Sequence, residues 1–261
     1  MRSFVEFATG EYDAVVNCVG VGTPGGVTSS GASIFTLTEQ FDQLVLNYLD
    51  DHPRTRHIAF SSGAAYCGDF AQPASEGASA VVPLNDIRPT DYYGVAKLAA
   101  EAKHRAASGL AIVDLRLFGL FSRHIDLDAR FFMSDVYRAI EQRATFVVGP
   151  EHIVRDYIAP ADMAALVISV LDAAPTNDVF DLYSAKPVAK FEVLEDFSAR
   201  YGLKYDVLDA PTAATATGVK PNYYSTNRRA ESMGYKPILT SLQTLTEEID
   251  ALLELQEGGH S

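Results

Sequence analysis

Tyr93-Gly94-Val95-Ala96-Lys97 decides how this chain is read, because it sets a phenol and an ammonium one helical turn apart. Residues four apart share a helix face. A Tyr phenol titrates near ~10 and a Lys near ~10.4. A cation beside a phenol favours the phenolate, so such a pair can serve acid–base chemistry at neutral pH. About 30 residues upstream, Ala59-Phe60-Ser61-Ser62 reads as the end of a buried strand that brings hydroxyls to the same region. A strand-end Ser with a helical Tyr-x-x-x-Lys suits hydride transfer at a carbinol or carbonyl. The Ser orients the oxygen, the Tyr exchanges its proton and the Lys holds the Tyr ready. The spacing alone is a weak motif; the Ser pair gives it weight.

The 261 residues suffice for a sizeable core, in one domain or slightly more. A net charge of −13 argues against nucleic acid or an anionic membrane as partner, and an anionic substrate would need a local cationic pocket. Cys18 and Cys67 make no disulfide framework and no zinc spacing, which points to a reducing compartment. Apolar runs are too short to span a bilayer, and Glu6 and Glu11 interrupt any signal-peptide pattern. A cytoplasmic protein without a metal site is expected.

Strands and helices alternate in the manner of a parallel α/β sheet. Strands are predicted over 12–19, 57–62, 110–117, 178–183 and 204–208, with an extended stretch at 154–158. Helices are predicted over 33–49, from Asp91 as N-cap through Lys97, and over 130–142 and 191–201. Pro160 fits the first turn of a further helix. Thr240-Ser-Leu-Gln243 is a capping box opening the last one, and 211–224 reads as loop. The pattern loosens after Val148. Residues 1–148 are therefore taken as a Rossmann-like domain, and 149–261 mainly as a smaller region interleaved with the sheet.

Gly20-Val-Gly22-Thr-Pro-Gly25 has the formal spacing of a dinucleotide-binding turn after a strand. No helix opens at its third glycine, and the next strand ends in Ser61 and Ser62 rather than in a ribose-binding acid. Three readings stay open: that fingerprint, a strand-end loop approaching a cofactor, or a plain turn.

With these residues in place, the chain resembles the extended short-chain dehydrogenases, specifically the NAD-dependent epimerase/dehydratase family acting on nucleotide sugars. The likeness runs from about residue 12 to 255. Phe60-Ser-Ser-Gly-Ala-Ala-Tyr66 resembles the family's hydroxyl-bearing fifth strand, and Arg116-Leu-Phe-Gly119 its Arg-x-Phe-Asn segment. Arg155-Asp-Tyr-Ile-Ala-Pro-Ala-Asp162 resembles the Arg-Asp-Phe/Tyr-Ile-x-Val-x-Asp signature, and Gly234-Tyr-Lys-Pro237 the usual ending. The resemblance implies a Rossmann-like parallel sheet, NAD or NADP as cofactor, a nucleotide-sugar substrate and a homodimer paired through helices 33–49 and 91–107. It implies Ser62, Tyr93 and Lys97 as the catalytic set, Ser62 being preferred to Ser61 because it stands four before Tyr66. Gly20, Tyr93 and Lys97 would meet the cofactor. Ser62, Arg155, Lys220 and Arg228 would meet the substrate, with Arg155 on its diphosphate. Arg116 reads as structural and Cys67 as passive.

The departures narrow the expectation. The chain starts just before the family's fourth strand, so the fold is expected to be truncated at its N-terminal half, leaving residues 12–19 as a sheet edge prone to self-association. Gly119 stands where Asn is usual, removing an expected substrate contact. Gly63 and Ala64 replace the Asp-Glu pair of 4,6-dehydratases, which favours an epimerase or keto-sugar reductase. The alternative is a non-catalytic or fragmentary member acting as a binding or assembly partner.

Overall fold

Short β-branched runs and longer amphipathic ones alternate along the chain, and they fold as a parallel sheet flanked by helices. The structure, a computed structural model, describes residues 4–20, 26, 29–210 and 220–258. A helical turn α1 (Phe4–Phe7) precedes β1 (Ala14–Asn17), α2 (Ser33–Asp51), β2 (Arg56–Ser62), α3 (Pro89–Ala106) and β3 (Ile112–Leu117). Then come α4 (Phe132–Glu141), β4 (Thr145–Val148), β5 (Val154–Arg155), α5 (Pro160–Asp172), β6 (Asp178–Asp181) and β7 (Val188–Ala189). The series ends with α6 (Lys190–Tyr201), β8 (Lys204–Val207), β9 (Asn222–Tyr223) and α7 (Ser241–Gly258).

The main sheet is parallel with order β1-β2-β3-β6. β2 is covered on both faces, as a central parallel strand should be. Ile58, Leu115, Leu166, Phe180 and Tyr235 build the core on one side of it. A second core, around Phe121, Met133, Val136, Phe197, Leu245 and Ile249, lies among α4, α6 and α7 and the small parallel pair β4-β8. β1 is an edge among the described residues, with Val16 42 % exposed.

Several expectations need correcting. Asp91 is not the N-cap of α3; Pro89 opens the helix, and the Asp91 carboxylate reaches back to accept the Arg88 N–H at 2.9 Å. Proline suits a position whose N–H would be unsatisfied anyway, which moves the start three residues upstream. β4 lies where no strand was expected. β9 lies in the stretch read as loop, although 211–219 of that stretch fall outside the described residues. The extended 154–158 segment shortens to two ladder residues plus a bridge from Ile158 to Leu120. Residues 21–25 of the glycine motif also lie outside the described residues. The closing capping box forms as expected: Thr240 N–H reaches Gln243 Oε1 at 2.9 Å, and Gln243 N–H reaches Thr240 Oγ1 at 3.3 Å.

Two helices are locked to the sheet by a buried charge cluster. His104, 1 % exposed on α3, meets Asp114 of β3 at 2.8 Å and Asp42 of α2 at 2.6 Å. Lys103 also pairs with Asp42, and Arg105 with Asp114. Burial opposes the imidazolium, but the hydrogen bonds and charges of Asp114 and Asp42 outweigh it and raise His104 to about 9. His57 packs edge-on against His104 at 5.5 Å, and burial pushes it down to about 4, so it is neutral here. A His raised in the folded state stabilises fully below its unfolded value near ~6.5 and loses that contribution as pH rises through the folded value. We therefore expect wild type to lose on the order of 2–3 kcal/mol relative to His104→Gln between about pH 6.5 and about pH 9.5. Urea unfolding of both proteins across this range measures it, and parallel pH curves would disprove the clamp.

Candidate active site

Gly94 explains how the helix and the strand end meet. A Cβ at that position would stand 2.5 Å from the Ala64 carbonyl oxygen, inside any real contact distance, so only glycine lets α3 press against the turn after β2. That turn, the 3-10 segment Gly63–Tyr66, begins with the Ser62 hydroxyl accepting the Ala64 N–H at 3.2 Å. Close approach brings Tyr93 beside Ser62. Burial raises the Tyr93 phenol above its ordinary value, and hydrogen bonding from Ser62 works the other way.

Lys97, one turn on, donates to the Phe60 carbonyl at 2.9 Å. Burial lowers its pKa, with the more distant Asp114, Glu101 and Asp42 opposing. With the ammonium turned to the strand, Ser62 is the group hydrogen-bonded to Tyr93 that favours its phenolate. Gly20, past the end of β1, faces this ammonium, since a Cβ there would lie 3.6 Å from Lys97 Nζ. The β1 loop, the β2 end and α3 thus converge on Ser62, Tyr93 and Lys97.

Ser61 is turned away. Its hydroxyl donates to Glu101 at 2.5 Å, and Glu101 also takes both Nε and Nη2 of Arg116, at 3.0 and 2.6 Å. Arg116 stacks over Tyr66 at 4.5 Å, and Tyr66 donates to Asp181 at 2.7 Å. Arg116 is structural, as its sequence context suggested.

A cationic wall stands opposite. Arg155 Nη1 donates to the carbonyls of Val154 and Lys220 at 2.8 and 2.6 Å, and no carboxylate pairs with it among the described residues. The Lys220 ammonium lies over the rings of Tyr223 at 4.9 Å and Phe70 at 5.4 Å. Burial, then repulsion from Arg155, brings Lys220 down to about 8. Lys220 also lines a cleft with Cys67, Asp91 and Gly94. Burial pushes the Cys67 thiol up, which disfavours its thiolate. Arg228 is not brought to this cluster: it is exposed and stacks over Tyr183 at 3.9 Å.

Sequence reasoning missed Tyr223. It pairs with Arg155 across β5-β9, its ring packs on Phe70 and Phe118, and its hydroxyl lies 3.1 Å from Ser62 Oγ. A two-residue strand leaves no periodicity to read. Gly119 also gains a reason: a Cβ there would come within 2.6 Å of the Asp156 carbonyl oxygen, so the neighbouring chain occupies the space a larger residue would need.

No curated relative matches the sequence at a significant level. Among solved structures, UDP-glucose 4-epimerase from Thermotoga maritima, crystallised with UDP-glucose, aligns with a TM-score of 0.80 at 16 % identity, covering 97 % of this chain and 81 % of that one. UDP-glucuronic acid 4-epimerase from Bacillus cereus, in complex with UDP-glucuronic acid and NAD, gives 0.78 at 16 % identity, covering 97 % and 79 %. dTDP-glucose 4,6-dehydratase from Bacillus anthracis, in complex with NAD, gives 0.73 at 12 % identity, covering 94 % and 73 %. The Rossmann-like fold is therefore shared, in a form truncated relative to those longer chains. The sequence profile of the NAD dependent epimerase/dehydratase family matches residues 2–183, and the chain belongs to that family.

Proposed function

We propose that the protein is an NAD- or NADP-dependent epimerase or keto-sugar reductase acting on a nucleotide sugar, with Tyr93 as its acid–base group. The observation that carries this reading is the convergence of Ser62, Tyr93, Lys97 and Gly20 at the carboxyl end of the parallel strands, where α/β sheets bind ligands. The residues suit a dinucleotide: an open glycine backbone faces an ammonium that gives one of its three protons to Phe60. Gly20 and Lys97 would hold the nicotinamide ribose. When bound, the cofactor supplies the hydride acceptor or donor for a sugar carbon.

The protein's own part is proton handling and orientation. Ser62 holds the sugar oxygen, and Tyr93 takes or returns its proton. Lys97 keeps the site positive and anchors to the strand. Arg155 and Lys220, cations without a carboxylate partner among the described residues, suit the diphosphate. Dehydration is disfavoured because no carboxylate follows Ser62. A side chain at Gly63 would run into the Phe118 ring, and Ala64 is buried. The nearby Glu101 and Asp181 are engaged by Arg116, Ser61, Tyr66 and Ser225. A homodimer and a cytoplasmic location belong to the same proposal; no described helix is long and apolar enough to cross a membrane.

Tyr93→Phe should lower kcat by a factor on the order of 10²–10⁴, with UDP-sugar affinity nearly unchanged. Turnover within about twofold of wild type would end the assignment. If neither protein turns over and NADH does not bind, the non-catalytic reading takes its place.

The cationic wall makes a separate forecast. Lys220, near 8, is protonated below that value, so UDP affinity should hold up to about pH 8 and fall above it. Lys220→Met should bind more weakly and lose this pH dependence. Arg155→Ala should cost roughly 1.5–3 kcal/mol, and Arg155→Lys should recover only part. Calorimetry on the four proteins measures this, and equal affinities would remove both residues from the diphosphate site.

A further inference from the structure

Tyr223 brings to this site a hydroxyl that neither the motif nor the family pattern supplied. Its oxygen lies 3.1 Å from Ser62 Oγ, and the Ala64 N–H lies 3.2 Å from that same Ser62 oxygen. A serine hydroxyl has one proton and two lone pairs. If Tyr223 donates, Ala64 and Tyr223 fill both lone pairs, and the Ser62 proton has only the Tyr93 side left.

Either hydroxyl of that contact could donate, and Tyr223 can fill the second lone pair of Ser62 as the donor. Burial raises its phenol well above the ordinary value, so it keeps the proton it would give. With the single Ser62 proton given to Tyr93, the 3.1 Å contact needs the Tyr223 proton. The ring is held in place by Phe70 at 4.8 Å and Phe118 at 5.2 Å, with the Lys220 ammonium at 4.9 Å and Arg155 at 5.8 Å. Main-chain bonds from Asn222 N–H to Phe70 O at 2.9 Å and from Val154 N–H to Pro221 O at 2.7 Å pin the strand that carries it.

We propose that Tyr223 is a positioning residue that makes Ser62 a one-directional donor toward Tyr93. Hydrogen bonds in such a chain polarise one another, so the phenolate of Tyr93 is favoured by two hydroxyls in series rather than one. This role rests on Tyr93 being the proton-exchanging group, and it assigns Tyr223 no contact with the reacting atoms. It also places Tyr223 between the Arg155–Lys220 wall and the hydroxyls.

The test reads the Tyr93 phenol directly. The full chain is made with fluorotyrosine, whose phenols titrate lower than tyrosine's, and Tyr93 is assigned in the fluorine NMR spectrum by its loss in Tyr93→Phe. Tyr223→Phe keeps the ring and its packing and removes only the hydroxyl. It should weaken Tyr93 ionisation by roughly three- to tenfold, and Ser62→Ala by at least as much. The double variant should match Ser62→Ala alone, because Tyr223 acts through that oxygen. An unchanged Tyr93 midpoint in Tyr223→Phe would overturn the proposal, as would a double variant whose effects simply add. The titration needs no turnover, so a failure of the Tyr223 role is distinguishable from a failure of the reaction that Tyr93→Phe tests.

Discussion

The site depends on one close approach, that of α3 to the turn after β2 at Gly94. Helix and strand are delivered by different parts of the sheet, and their usual separation would leave Tyr93 short of Ser62. Removing a single Cβ lets the helix settle onto the Ala64 carbonyl. Everything else on α3 follows from that docking: Lys97 falls beside Phe60, Glu101 beside Ser61 and Arg116, and His104 between two carboxylates. The helix is held at its start by geometry and at its end by charge.

Beneath the site runs a polar layer whose arrangement is costly to break. Glu101, Arg116 and Asp181 are buried or nearly so, and each charge is met by several hydrogen bonds. A buried ion pair adds little over well-packed apolar groups, but removing one partner strands the other. The layer therefore enforces one arrangement more than it adds stability. It ties β2, α3, β3 and β6 together, and through Ser225, whose hydroxyl donates to Asp181 at 2.5 Å, it also reaches the segment after β9.

What the sequence revealed and what it hid divide by distance along the chain. Tyr93 and Lys97 are four apart on a helix, and Ser62 ends a strand with an obvious apolar run, so local periodicity was enough. Tyr223 meets Ser62 across 161 positions, and Asp42 meets His104 across 62. No local pattern encodes such meetings. Lys220 and Arg228 sit in one cationic stretch, and only the pairing of β9 with β5 separates the one near the site from the one over Tyr183. Gly119 reads from sequence as a lost contact, whereas the fold makes it a requirement of the Asp156 backbone. The Asp91 error has another origin: its capping type of side chain drew the boundary to it, whereas proline's preference for the first turn starts the helix at Pro89.

The strand carrying Tyr223 has a consequence in chain entropy. β9 is stitched to residues near 70 and near 154 by main-chain bonds, so its closure joins three segments far apart in the chain. Contacts of such separation cost the most chain freedom, because the loops they close must surrender theirs. Ser62, Tyr93 and Lys97 belong to β2 and α3. The hydroxyl pair therefore needs only one helix and one strand in place, whereas the cationic wall needs three distant segments held together at once.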